Sequence, residues 1–174
     1  MESLVIRKAN ITDAKAVASL ARITFKDTFG HLFNDPQDLV NYFNVTFSQE
    51  KIAASLQKSN NVFWLALFND KPVGYAKLKV HSPSEFISDK IKVSQLQKIY
   101  ILQDYFGQQI GQKLQDKLFE EIELLNSKHL WLSVYIENPR AIGFYKKHGF
   151  TTIGSHTFSI GKETFEFTVM DKTF

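Results

Sequence analysis

The stretch from Lys98 to Leu125, KIYILQDYFGQQIGQKLQDKLFEEIELL, decides how the chain is read. It opens on a short β-branched and aromatic run, Lys98-Ile99-Tyr100-Ile101, which predicts a buried strand. A polar link follows, Gln103-Asp104-Tyr105-Phe106-Gly107. Ile110, Leu114, Leu118, Ile122 and Leu125 then recur four, four, four and three residues apart, one apolar stripe on a 3.6-residue period. They predict a long amphipathic helix from near Gln108. Strand, glycine-bearing turn and helix together point unpaired backbone N–H groups and a positive dipole end at an anion, such as a pyrophosphate. The plainer reading is an ordinary turn, with Gly107 at positive φ and Gly111 allowing close packing. No Gly-Lys-Ser/Thr follows, so this is not a Walker A loop. The GxGxxG dinucleotide pattern is absent too.

Upstream, Leu4–Lys8 predicts a first strand. Thr12 is placed to cap a helix over Ala14–Phe29 that ends at Gly30. Asp35-Pro36 opens a second helix to Phe47, and Ser48 caps a third over Gln49–Gln57. Val62–Phe68 and Val73–Val80 form a hairpin around Asn69-Asp70-Lys71-Pro72. In the second strand Val73, Tyr75, Lys77 and Lys79 alternate with Gly74, Ala76, Leu78 and Val80. The segment His81–Val93 reads as a mobile loop. Downstream, Leu130–Tyr135 is a strand. Asn138-Pro139 opens a short helix to His148, stopped by Gly149. Phe150–Phe158 and Glu163–Lys172 close the chain as paired strands. The order β-ααα-ββ-β-α-β-α-ββ predicts an α/β fold, a mixed sheet with helices on both faces.

The 174 residues fit one domain over 1–174 with a sizeable core, and the sixteen Phe, six Tyr and two Trp fit its packing. Net charge is +3, with no basic run longer than two, which disfavours nucleic acid. The chain has no cysteine. That excludes disulfides, thiolate metal sites and a cysteine nucleophile, and no metal site is predicted. Met1–Asn10 lacks the apolar stretch of a signal peptide. The longest apolar run, Val62–Phe68, is far short of the ~18 residues that span a bilayer. A soluble cytoplasmic protein is expected, with no membrane partner; a homodimer stays open.

Asn138, Ala141 and Tyr145 lie along one face of the short helix. Taken singly, Asn138 is an N-cap and Tyr145 a core aromatic. Taken with the strand–turn–helix, they carry a resemblance. LQKIYILQDYFGQQIG followed by WLSVYIENPRAIGFYKKHGF, within Gln95–Phe150, resembles the GCN5-related N-acetyltransferase (GNAT) superfamily. The C-terminal GSHTFSIGKETFEFTVM is most similar to its bacterial spermidine/spermine acetyltransferase group.

The resemblance implies a central, mostly antiparallel sheet and acetyl-CoA as cosubstrate, without metal. It implies that the backbone of Ile99, Tyr100 and Ile101 pairs with the pantetheine arm. The N–H groups of Gly107, Gln108, Gln109, Ile110, Gly111 and Gln112 would hold the pyrophosphate. Asn138 would bond the cofactor near its pantetheine end, and Tyr145 would stand near the thioester sulfur as general acid. The family's Arg/Gln-x-x-Gly-x-Gly/Ala pattern falls on Phe106–Gly111, with Phe106 and Gln109 replacing expected types. Charge neutralisation then falls to the helix dipole and to lysines such as Lys113.

The acceptor implied is a primary amine, with polyamine leading and a protein N-terminus, lysine or amino acid as alternatives. A non-catalytic acyl-CoA-binding module is the reading from another class. Glu137, His81, His31 or a water chain are the candidate bases, because Gln95 and Gln97 cannot take a proton. The acceptor walls would be Phe29–Phe33, the His81–Val93 loop and the Ser155–Thr164 hairpin. Asp27, Asp35, Asp38, Glu85 and Asp89 are the carboxylates that could meet a polyamine.

Overall fold

The structure is a computed structural model that describes residues 3–174. The chain runs β1 (Leu4–Lys8), α1 (Ala14–Phe29), α2 (Pro36–Thr46), α3 (Gln49–Leu56), β2 (Asn61–Phe68), β3 (Lys71–Lys79), β4 (Val93–Ile101), α4 (Ile110–Leu124), β5 (His129–Tyr135), α5 (Pro139–Lys147), β6 (Thr151–Ile160) and β7 (Glu163–Thr173). Short 3-10 turns precede α1, follow it, and precede α4. Among the described residues seven strands form one sheet, in the order β1-β2-β3-β4-β5-β7-β6. Only β4 and β5 run parallel; every other neighbouring pair is antiparallel.

Helix ends follow their capping side chains. Asp35 accepts from the N–H of Gln37 ahead of Pro36, Ser48 from Lys51, and Asn138 from Ala141 ahead of α5. Thr12 is not the first cap: Asn10 accepts from its N–H and forms a capping box with Asp13. Gly30 does not stop the chain in a left-handed turn. Its φ is −56°, and the helix tightens into a 3-10 turn there.

One apolar layer lies between the sheet and α4, built on Ile110, Leu114, Leu118 and Ile122 with Trp64, Leu78 and Leu132. Leu125, assigned to the same stripe, sits past the end of α4 and is 41% exposed. The other layer packs α1–α3 on the opposite face around Phe25, Phe29, Phe47, Tyr75 and Phe165. Val73 departs from the predicted alternation. A register shift at Ala66/Leu67 adds a residue to β3, which sends Val73 to the α4 side with Ala76 and Leu78. The 81–92 segment, read as mobile, is tied down: Trp131 Nε1 donates to Ser82 O at 2.7 Å, and Lys90 Nζ to Ser84 O at 2.6 Å.

Candidate active site

β4 begins at Val93, five residues before the predicted strand Lys98–Ile101. It pairs with β5 only over Val93–Gln95 against His129–Trp131. A register shift between Lys77 and Leu78 leaves Gln97 without a cross-strand partner in β3, a bulge that raises local twist. Beyond it β4 stays with β3, whereas β5 pairs with β7 along its whole length. The two central strands therefore part, and the edge of β4 from Leu96 to Ile101 has no ladder on the β5 side. An extended chain carrying amides could complete that edge.

A cavity of about 590 Å³ occupies this opening. Ile99, Tyr100 and Ile101 line it, with Gly107, Gln109, Ile110, Gly111, Gln112, Asn138 and Tyr145. Gln108 is the one proposed binding residue outside the wall. Helix α4 starts two residues later than predicted, so Gln108 lies in the exposed turn before it. Gln109 is the N-terminal boundary residue at φ 59°, without a capping side chain. Lys113 is the first amide to close on the turn, donating to Gln109 O at 3.0 Å. The N–H groups of Ile110, Gly111 and Gln112 are left open at the cavity wall. Gly107 has φ +80° and space where a Cβ would stand. At Gly111 a Cβ would come within 3.2 Å of Ile101 Cδ1, so this glycine keeps helix and strand close. Open amides, a helix dipole and an unpaired strand edge fit a diphosphate joined to an amide-bearing arm.

Lys113, expected to neutralise such a ligand, does not line the cavity. Arg140 does: its guanidinium lies 3.7 Å from the centre of the Phe106 ring. Sequence reading passed over Arg140, whose only signal was its place after Asn138-Pro139. Asn138 Oδ1 is engaged as the helix cap, which leaves its amide nitrogen for a ligand. Tyr145 is 8% exposed, and burial, with Tyr100 nearby, pushes its hydroxyl well above the usual tyrosine range. It therefore stands protonated at neutral pH.

A second cavity of about 580 Å³ lies on the α1–α3 side. The two cavities share Phe29, Gln97, Lys98, Tyr100, Ser133 and Phe167 in their walls. Helices α2 and α3 wall the second cavity, together with His156, Phe158 and Ile160 of β6. The 81–93 loop, an expected wall, lines neither one.

Of the candidate bases, Glu137 and His31 line the first cavity, and Glu137 accepts from Tyr135 Oη at 3.2 Å. His81 lies elsewhere, with Nδ1 3.3 Å from Ile91 O. His156 went unnoticed in the sequence. Its Nε2 is 2.8 Å from Ser133 Oγ, and its ring stacks on Phe167 at 5.4 Å. The carboxylates do not gather. Asp35 holds Lys162 Nζ, Asp38 accepts from Lys162 N–H, and Asp89 accepts from Ile91 and Lys92 N–H groups. Glu85 is exposed in its loop, and of the five only Asp27 lines either of these two cavities.

Comparison with known proteins agrees with this geometry. The model of the acetyltransferase (GNAT) family matches residues 25–150. An uncharacterized N-acetyltransferase of Mycobacterium tuberculosis strain H37Rv is 27% identical over 151 residues, 87% of this chain and 91% of the relative. The spermidine N(1)-acetyltransferase of Thermoplasma acidophilum is 25% identical over 155 residues, 85% of this chain and 88% of the relative. Among solved structures, the PaiA N-acetyltransferase of Thermoplasma acidophilum in complex with coenzyme A superposes with a TM-score of 0.79 at 20% identity, covering 99% of both chains. The ribosomal-protein-S18-alanine N-acetyltransferase of Escherichia coli gives 0.72 at 20%, covering 98% and 94%. With the parted central strands and the open amides in the first turn of α4, the family match identifies this chain as a member of the GNAT family, acetyl-CoA-dependent N-acetyltransferases.

Proposed function

We propose that the chain transfers the acetyl group of acetyl-CoA directly to a primary amine, with Tyr145 as general acid. One observation carries the reading: a single cavity collects the unpaired edge of β4, the open amides of α4 and the Tyr145 ring. With no cysteine for an acyl-enzyme, the neutral amine attacks the thioester carbon itself. Backbone N–H groups near Tyr100 and Ile101 stabilise the oxyanion as it forms. The nitrogen loses its extra proton to His156 through Ser133, the C–S bond breaks, and Tyr145 gives its proton to the departing sulfur. Proton return from the imidazolium to the tyrosinate, through solvent, restores both groups. The products are an acetamide and coenzyme A.

A polyamine acceptor has its support in the name of the Thermoplasma relative at 25% identity. Acetylation of an amino acid or a chain N-terminus is the second reading. It is favoured by a second cavity lined by Lys51, Lys58, Lys77 and Lys98 and, among the described residues, by no Asp or Glu. Thiol release from acetyl-CoA across a panel of spermidine, lysine, amino acids and peptides tests the transferase reading. Turnover with one amine class is expected. Tight coenzyme A binding with no turnover on any amine would instead favour a sensing module.

A further inference from the structure

We propose that the second cavity is an acceptor site for a small amine that has an apolar or aromatic body and carries a carboxylate, held by Lys77 and Lys98. The substrate class rests on the transferase reading; the anion site does not. Lys77 and Lys98 are direct cross-strand partners in β3 and β4. Antiparallel partners put their Cβ atoms about 5 Å apart. The pair points to the α1–α3 side, as do its neighbours Tyr75 and Tyr100.

Among the described residues neither lysine has an ion-pair partner. Their ammonium groups lie instead over rings, Lys77 at 5.4 Å from the Phe63 centroid and Lys98 at 5.6 Å from that of Phe47. Two like charges side by side, largely withdrawn from water and without a carboxylate, call for an anion. Burial, with repulsion from Lys98, Lys79 and Lys58, brings the Lys77 ammonium down to about 8, and burial alone does the same at Lys98. A bound carboxylate would relieve both effects.

The rest of the wall limits the ligand. Phe25, Phe29, Tyr42, Phe47, Phe165 and Phe167 give it an apolar, aromatic body. About 580 Å³ suits a small molecule. Ser133 and Lys98 stand on the wall shared with the cofactor cavity. A carboxylate on Lys77 therefore leaves the amine to reach that wall. The same lysines repel a polycation and hold the incoming amine in its neutral, nucleophilic form.

The test separates the site from the chemistry. Calorimetric titration compares 3-phenylpropionate with phenethylamine, which share a body and differ in charge. The acid is expected to bind at least tenfold tighter, and Lys77→Met to lose at least tenfold of that affinity. Lys98→Met serves as the second variant, and thermal unfolding checks that each variant is folded. Equal binding of acid and amine, or undiminished binding in both folded variants, overturns the site.

In the turnover arm, L-phenylalanine is expected to exceed spermidine at least tenfold in kcat/KM. Preference for spermidine overturns the substrate class. If phenylpropionate binds and Lys77→Met weakens it, yet no amine is acetylated, the anion site stands and the transferase reading falls.

Discussion

The guanidinium of Arg140, in the first turn of α5, lies 3.7 Å from the ring centre of Phe106, in the turn before α4. This contact sets a fixed cation in the wall of the cavity that Ile110, Gly111 and Gln112 also line, where the turn itself offers none. Phe106 thus supports a charge supplied from elsewhere in the chain. Charge-assisted contacts contribute about 1.5–3 kcal/mol. Arg140→Ala is accordingly expected to weaken coenzyme A roughly tenfold or more by calorimetry and to raise KM for acetyl-CoA with little change in kcat. Arg140→Lys should recover only part, because an ammonium neither stacks as well nor binds phosphate in a fork. Unchanged affinity in Arg140→Ala would reduce the pair to a surface stacking contact.

Gln109 occupies the left-handed region at φ 59° just before α4. For a residue with a Cβ that conformation costs about 1–2 kcal/mol. Glycine removes the strain but adds freedom to the unfolded chain, worth about 0.5–1 kcal/mol. Gln109→Gly is therefore expected to unfold at a slightly higher temperature and to bind coenzyme A as well as or better than the parent. A tenfold loss of binding would show that the side-chain amide itself grips the phosphates.

Tyr145 is enclosed by Phe144 and Phe150, with ring centroids 5.5 Å away in each case. Removing its hydroxyl keeps this packing and deletes only the acid. Tyr145→Phe should lower kcat by about 10²-fold or more, within the usual reach of general acid catalysis, and leave acetyl-CoA affinity unchanged. A kcat equal to the parent's would remove Tyr145 from the acid role.

What could be read in the sequence follows the range of the forces involved. Helices α2, α3 and α5 were legible because Asp35-Pro36, Ser48 and Asn138-Pro139 write their starts locally. The stripe of α4 was legible because four of its five members pack against one sheet face. The start of β4 was not: Ser94, Gln95 and Gln97 are polar, and their strand is fixed by pairing with β3 and, for three residues, with β5. Arg140 is 34 positions from Phe106, so no local pattern announces their contact. No local pattern joins Lys77, on the Val73-Tyr75-Lys79 side of its strand, to Lys98 at the head of the next. Only the bulge at Gln97 brings them into register on the aromatic face.

These two lysines also predict how stability depends on pH. Their folded-state values of about 8 lie below the ordinary 10.5. Between roughly pH 8 and 10 the unfolded chain holds protons that the folded chain has released, so stability rises with pH. Above pH 10 the trend reverses. Burial raises Tyr75, Tyr100 and Tyr145, and the stability they contribute is lost once the unfolded tyrosines ionise. Other cations act on the same pair: Lys79 and Lys58 repel the Lys77 ammonium, and Lys51 and His156 share its cavity wall. Each pK unit is worth about 1.4 kcal/mol before solvent screening reduces it. Thermal unfolding of the free chain followed by circular dichroism is expected to move to higher temperature from pH 8 to pH 10. Lys77→Met and Lys98→Met should each flatten that rise, and saturating 3-phenylpropionate should flatten it in the parent by holding both ammonium groups charged. A parent curve that is level or falls across this window would mean that water reaches both lysines freely, and that their charge places no demand on the cavity's occupant.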